Sequence, residues 1–166
     1  MPFVEGPIEG VVIRKFQRHS DKRGWLAELF RSDELAQGFH PSMAYVSATL
    51  PKVVRGPHEH VEQTDYFCFL GPGRFKVTLW DNREGSPSYL RRMELILGED
   101  NPASVLVPKG VVHCYRCVSS EPGWVFNAPD RLYMGEGRRS PVDEIRHEDD
   151  PENVFVQDEL ARRMDV

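Results

Sequence analysis

Nine short β-prone runs, each cut off by a turn-forming cluster, constrain this chain more than any other feature. They read GVVIRKFQ, WLAELFR, MAYVSATL, DYFCFLG, RFKVTLW, YLRRMELIL, ASVLVP, VVHCYRC and WVFNAP. Between them stand DKRG, RGP, GPG, DNREGSP, GEDNP and SSEPG, where proline fixes φ and glycine permits positive φ. Closely spaced short strands read as a sandwich or barrel, so the expected class is all-β. In FKVTLW, Phe75, Val77 and Leu79 alternate with Lys76, Thr78 and Trp80, the period of a half-buried strand. Helix is sparse. Ser32, Asp33 and Glu34 can cap a short helix to about Gln37, and FVQDELARRM (155–164) carries its arginines late, as a terminal helix favours. The charge-dense stretch 135–153 reads as a surface loop or partner-covering arm. With 166 residues and no internal repeat, a single domain over 1–166 is expected.

Charge and cysteine content narrow the function. A net charge of −5 argues against nucleic acid, whose binders present a basic face. No apolar run nears the ~18 residues of a membrane span. The opening MPFVEGPIEG lacks the basic and apolar blocks of an export signal, and three cysteines do not suit a disulfide scaffold; a cytoplasmic protein is expected.

The chemistry concentrates in two motifs. Arg55-Gly56-Pro57-His58-Glu59-His60 is followed by Gln63 and Asp65, and about fifty residues later comes Pro108-Lys109-Gly110-Val111-Val112-His113. Strand residues two apart share a face, so His58 and His60 can point together. With Asp65 and His113 they form a donor set suited to Zn, Fe, Mn or Ni.

This pattern resembles the cupin jelly roll. A fuller resemblance, over nearly the whole chain, is to the dTDP-4-dehydrorhamnose 3,5-epimerase family. It is carried by Asp21-Lys22-Arg23-Gly24-Trp25-Leu26 with Glu28 and Phe30, by Arg55-Gly56-x-His58, by Trp80-Asp81-x-Arg83 with Ser86-Pro87, and by Pro108-x-Gly110-x-x-His113. The resemblance implies a cupin-type jelly roll, commonly homodimeric, acting without a metal or other cofactor on a nucleotide-linked 4-keto-6-deoxy sugar. It makes His58 the base and Arg55 and Arg23 the phosphate or carbonyl contacts. Trp25 stacks near the nucleotide, and Asp81 and Arg83 flank the site. Tyr45 and Ser47 stand where the family has Gln and Asn ligand contacts. Asp65 stands at the family's enolate-facing lysine, and the family's catalytic tyrosine falls on or next to Phe126. The acid is therefore expected from Tyr115, on the same strand face as His113 and Cys117, or from Tyr133.

The implied reaction follows from carbon acidity. Hydrogens beside a ketone can be removed by a positioned base, and epimerisation returns a proton from the opposite face. Two other readings stay open: a metal-dependent cupin isomerase or oxygenase using His58, His60, Asp65 and His113, and a non-catalytic nucleotide-sugar-binding cupin. His19, His40 and His147 read as solvated, Cys68 as core, and Cys114 and Cys117 as thiols on opposite strand faces.

Overall fold

The computed structural model describes residues 3–156. Its strands are β1 (Val4–Glu5), β2 (Val12–Lys15), β3 (His19–Asp21), β4 (Gly24–Leu26), β5 (Tyr45–Thr49), β6 (Val54–Glu59) and β7 (Asp65–Phe69). They continue as β8 (Arg74–Asp81), β9 (Arg91–Gly98), β10 (Ala103–Val107), β11 (Val111–Cys117), β12 (Gly123–Asn127) and β13 (Ile145–Arg146). A six-stranded sheet runs β1-β9-β8-β11-β6-β13, a five-stranded sheet runs β2-β10-β7-β12-β5, and β3 and β4 pair as a separate hairpin. This is the expected all-β jelly roll. No helix among the described residues is long and apolar enough to cross a membrane.

Alternation on the strands builds three apolar layers. Phe67 and Phe69 of β7 meet Phe75, Val77 and Leu79 of β8 and Tyr115 of β11 between the two sheets. Their alternates, Tyr66 and Cys68, face the other way and are covered by Phe39, Leu29 and Leu35 from the segment before β5. On the far side of the larger sheet, Trp80, Val112 and Cys114 are covered by Phe155 and Phe3. Cys114 and Cys117 thus fall in different layers, as strand alternation requires.

Two expectations about local structure change. The segment from Ser32 to Gln37 is a series of turns and not a helix. Asp33, expected near the cap, instead holds the Arg31 guanidinium at 2.9 Å, and the turns close by Glu34 N–H to Arg31 O and Phe39 N–H to Ala36 O, each 3.0 Å. The Arg55-Gly56-Pro57 cluster, expected as a break, lies inside β6. The irregularity it causes is a bulge against β11: His58 faces His113, yet Arg55 faces Tyr115. Gly56 has φ +89°, and a Cβ there would lie 2.5 Å from the carbonyl oxygen of His113, so only glycine lets the strands approach. The expected helix over 155–164 lies outside the described residues beyond 156; Phe155 itself is buried against Trp80.

Candidate active site

Between the sheets a cavity of about 1050 Å³ opens, the upper end of the range for small-ligand sites. Strands β5, β6, β7 and β11 supply its inner wall, and the segment from Pro129 to Glu148 supplies its rim. Much of the 135–153 stretch, expected as a surface loop or partner-covering arm, is therefore part of the cavity. Its strand β13 pairs with β6 through Arg146 opposite His58 and Ile145 opposite Glu59.

Beyond the bulge, alternation sets His58 and His60 on the same side, their ring centroids 5.7 Å apart, while Glu59 between them turns away to Asn82 and His147. His147, expected as solvated, is half-buried; its Nε2 donates to Glu59 Oε1 at 2.8 Å and its ring packs on Phe155. His58 and His113 meet edge to face at 4.6 Å. Nδ1 of His58 lies 3.6 Å from a carboxylate oxygen of Glu144 and 3.6 Å from one of Glu148. Burial, then the neighbouring His60, lowers the His58 pKa to about 4.

Asp65 and His60 form the charged centre of the site. Burial alone would raise the Asp65 pKa, but His60 and the surrounding donors outweigh it and bring it to about 2. Its Oδ2 is 3.0 Å from Nε2 of His60 and 3.4 Å from Nε2 of His113. Its Oδ1 accepts from Gln63 Nε2 at 2.9 Å and from Asn127 Nδ2 at 2.7 Å. Burial works against a charged His60, yet Asp65 and the carbonyl of Asp143 raise its pKa to about 9. The enclosed His113 is lowered to about 3, chiefly by burial, and its Nδ1 lies 3.0 Å from Val111 O.

The wall opposite His58 is polar. Tyr45 and Ser47 project from β5, in the five-stranded sheet, and Tyr115 stands on β11 beside β6. The Tyr45 hydroxyl accepts from Asn127 Nδ2 at 3.0 Å, and burial of that end raises its pKa to about 12. The Tyr115 hydroxyl lies 3.4 Å from Ser47 Oγ, and burial raises its pKa also. Arg55 lines the cavity while donating to Thr49 Oγ1 and Ala48 O, each at 2.9 Å. Tyr133 lines it from the rim, half exposed, beside Arg131 and Arg138.

Four expected contacts lie outside this cavity. Arg23 and Trp25 sit on the β3–β4 hairpin, the Arg23 side chain 83% exposed and paired with Asp21, and Trp25 lying under Arg18. Asp81 and Arg83, expected to flank a ligand, are instead a structural knot. Asp81 is fully buried and accepts from Arg83, Ser86 and Ser88, while Arg83 reaches on to Glu9 O at 2.7 Å. Their interactions are used up locally because the turn after β8 is closed by them. Phe126 faces the outer apolar layer with Tyr66 and Cys68, and its neighbour Asn127 points inward.

Asp143, Glu144, Glu148 and Asn127 escaped the sequence reading. The only cue for Asp143 was its place before β13: its carboxylate accepts the backbone N–H groups of Val61, Glu62 and Gln63 at 2.8, 2.9 and 2.8 Å.

Comparison with known proteins bears on what this cavity does. The chain is 37% identical over 127 residues, 76% of its length and 81% of the relative's, to the probable low-salt glycan biosynthesis epimerase Agl13 of Haloferax volcanii. It is 40% identical over 116 residues, 69% of its length and 75% of the relative's, to the spore coat polysaccharide biosynthesis protein SpsL of Bacillus subtilis. Among solved structures it resembles the dTDP sugar isomerase of Desulfovibrio desulfuricans G20, with a TM-score of 0.73, 25% identity and 84% of each chain covered. The family model for dTDP-4-dehydrorhamnose 3,5-epimerase matches residues 5–149, taking in both sheets, the hairpin and the rim segment, and by that match the chain belongs to this family of isomerases.

Proposed function

We propose that the chain epimerises a nucleotide-linked 4-keto-6-deoxyhexose, for glycan or polysaccharide assembly, by moving a proton at a carbon beside the ketone. The observation that carries this reading is the setting of His58, whose ring enters the cavity with Nδ1 facing two carboxylates, each 3.6 Å away. Glu144 and Glu148 favour the tautomer with hydrogen on Nδ1, which leaves the lone pair on Nε2 to take a proton from carbon. The imidazolium that results is disfavoured by burial, and the two carboxylates 3.6 Å away offset part of that cost.

Return of a proton from the other face calls for a donor across the cavity. Tyr45 suits this role better than Tyr115, because β5 lies in the sheet opposite β6. Its oxygen already accepts from Asn127, so its own hydrogen is available to substrate. Arg55, Arg131 and Arg138 line the cavity with guanidinium groups suited to a diphosphate. Arg23 and Trp25, exposed on the hairpin, are read as nucleotide contacts offered to a second copy in a homodimer, and the whole of 1–166 as one domain. Incubating the protein with dTDP-4-keto-6-deoxyglucose in heavy water and following the sugar by NMR tests the reading. Deuterium entering C3 or C5 supports it; binding without label at either carbon favours the non-catalytic alternative.

A further inference from the structure

We propose that Glu59 and His147, paired on the outer face of the larger sheet, are positioning residues that set the carboxylate of Glu148 at Nδ1 of His58; this rests on His58 being the base. Two neighbours on β6 meet two neighbours in the segment after β13, one pair on each side of the sheet. Inside, Nδ1 of His58 faces Oε1 of Glu148 at 3.6 Å. Outside, Oε1 of Glu59 accepts from Nε2 of His147 at 2.8 Å. Alternation along β6 sends Glu59 outward where His58 goes inward. The 3-10 turn His147–Asp149 divides its first two residues in the same way.

Glu148 is held weakly by its own contacts. Its Oε1 lies 3.2 Å from the half-exposed guanidinium of Arg146, and its Oε2 is buried without a hydrogen-bond partner. A partly exposed ion pair fixes little. The carboxylate therefore goes where the backbone of residues 147–149 carries it. Pairing of β13 with β6 ends at Arg146, and the bond that closes the turn, Asp150 N–H to His147 O at 3.0 Å, is internal to it. The His147 ring ties the turn to the sheet: it is bonded to Glu59 and packs on Phe155 with ring centroids 4.6 Å apart. Asp143 anchors the start of β13, beside Glu144; His147 anchors its end, beside Glu148.

Glu59 has the chemistry of such a post. It is buried on the side of the sheet that carries Trp80, Val112 and Cys114 under Phe155 and Phe3. An apolar side chain would occupy that place without the cost of burying a carboxylate. Here one oxygen of the carboxylate is met twice, by His147 and by Asn82 Nδ2 at 2.9 Å. Hydrogen bonds to an ionised acceptor are short and strong, and they fix a ring's direction where packing alone would let it turn.

The test compares Glu59→Gln, Glu59→Met and the double variant Glu59→Met/His147→Phe, as full-length protein shown to fold by circular dichroism and to bind dTDP. Gln keeps the acceptor oxygen. Met and Phe keep the volume and remove the bond, and the double variant leaves no buried charge unpaired. The tautomer of His58 is read by ¹⁵N NMR, with its signals assigned against His58→Asn, and label exchange at carbon is followed in heavy water. Wild type and Glu59→Gln should hold the His58 hydrogen on Nδ1. In Glu59→Met and the double variant the tautomer with hydrogen on Nε2 should appear, and kcat for exchange should fall by about 10–100-fold with KM unchanged. Absence of that second tautomer from the folded double variant overturns the proposal, as does a loss confined to KM, the mark of a rim that has merely loosened. If wild-type protein exchanges no label, the reaction falls, and the tautomer comparison alone decides whether the pair positions Glu148.

Discussion

At the scale of single residues, the two sides of the cavity carry different duties. Tyr45 and Tyr115 are both phenols in the cavity with raised pKa values, but one stands across from His58 and the other on the adjacent strand. Tyr45→Phe should therefore retain label exchange at the carbon and lose inversion, because abstraction survives while delivery from the far face does not. Tyr115→Phe should lower both modestly and together, by loosening Ser47. Parallel measurement of exchange and of new stereoisomer by NMR checks this; equal losses in Tyr45→Phe would remove its role as acid. Asp81 has a different kind of duty. Its pKa is about 2 against an ordinary 3.8; burial would raise it, but Arg83, Ser86 and Ser88 outweigh that cost. A depressed folded-state value means the stabilisation is complete above the unfolded pKa and is lost as pH falls from about 4 through about 2, a contribution of about 2 kcal/mol. Urea unfolding of Asp81→Asn should accordingly be less stable at pH 7 by about that amount and show a shallower decline below pH 4 than wild type.

Among the elements, β6 and the rim segment do most to assemble the site. β6 was legible only in part: the alternation of His58 and His60 could be read, but Gly56-Pro57 read as a break because its bulge depends on contact with β11. The rim segment could not be read as part of the site at all. A charge-rich stretch such as 143–150 is usually solvated. Here the three backbone donors of residues 61–63 give Asp143 partners 80–82 positions away, which local pattern cannot reveal. Those bonds anchor β13 and so hold Glu144 and Glu148 over His58. Asp143→Ala should cost about 2–4 kcal/mol, since three donors lose a charged acceptor, and should raise KM as the rim loosens. Urea unfolding with steady-state kinetics checks both; an unchanged midpoint would show that the segment is held by other contacts.

For the whole molecule, the strand pattern was a guide to the all-β class, and the motif resemblance supplied the jelly roll. β7 is buried at all five positions, as expected of a strand covered on both faces, and its Phe67 and Cys68 fall in separate apolar layers. The segment 32–37 shows where local signals failed: capping residues were present, but the need to lay Leu35 and Phe39 over the sheet, with Asp33 taken by Arg31, outweighed a weak helical preference. In the same way, Asp81 and Arg83 carry a sequence motif whose duty proved to be closing a turn, while His58, placed by its motif, does reach the cavity. The central claim is that the His58 imidazole lifts the proton from carbon. It is tested most directly by the rate of deuterium entry at C3 and C5 of the keto-sugar nucleotide in His58→Asn against wild type, in protein shown to fold and to bind dTDP. A loss of about 10²–10⁴-fold with binding retained is expected; exchange at the wild-type rate would contradict it.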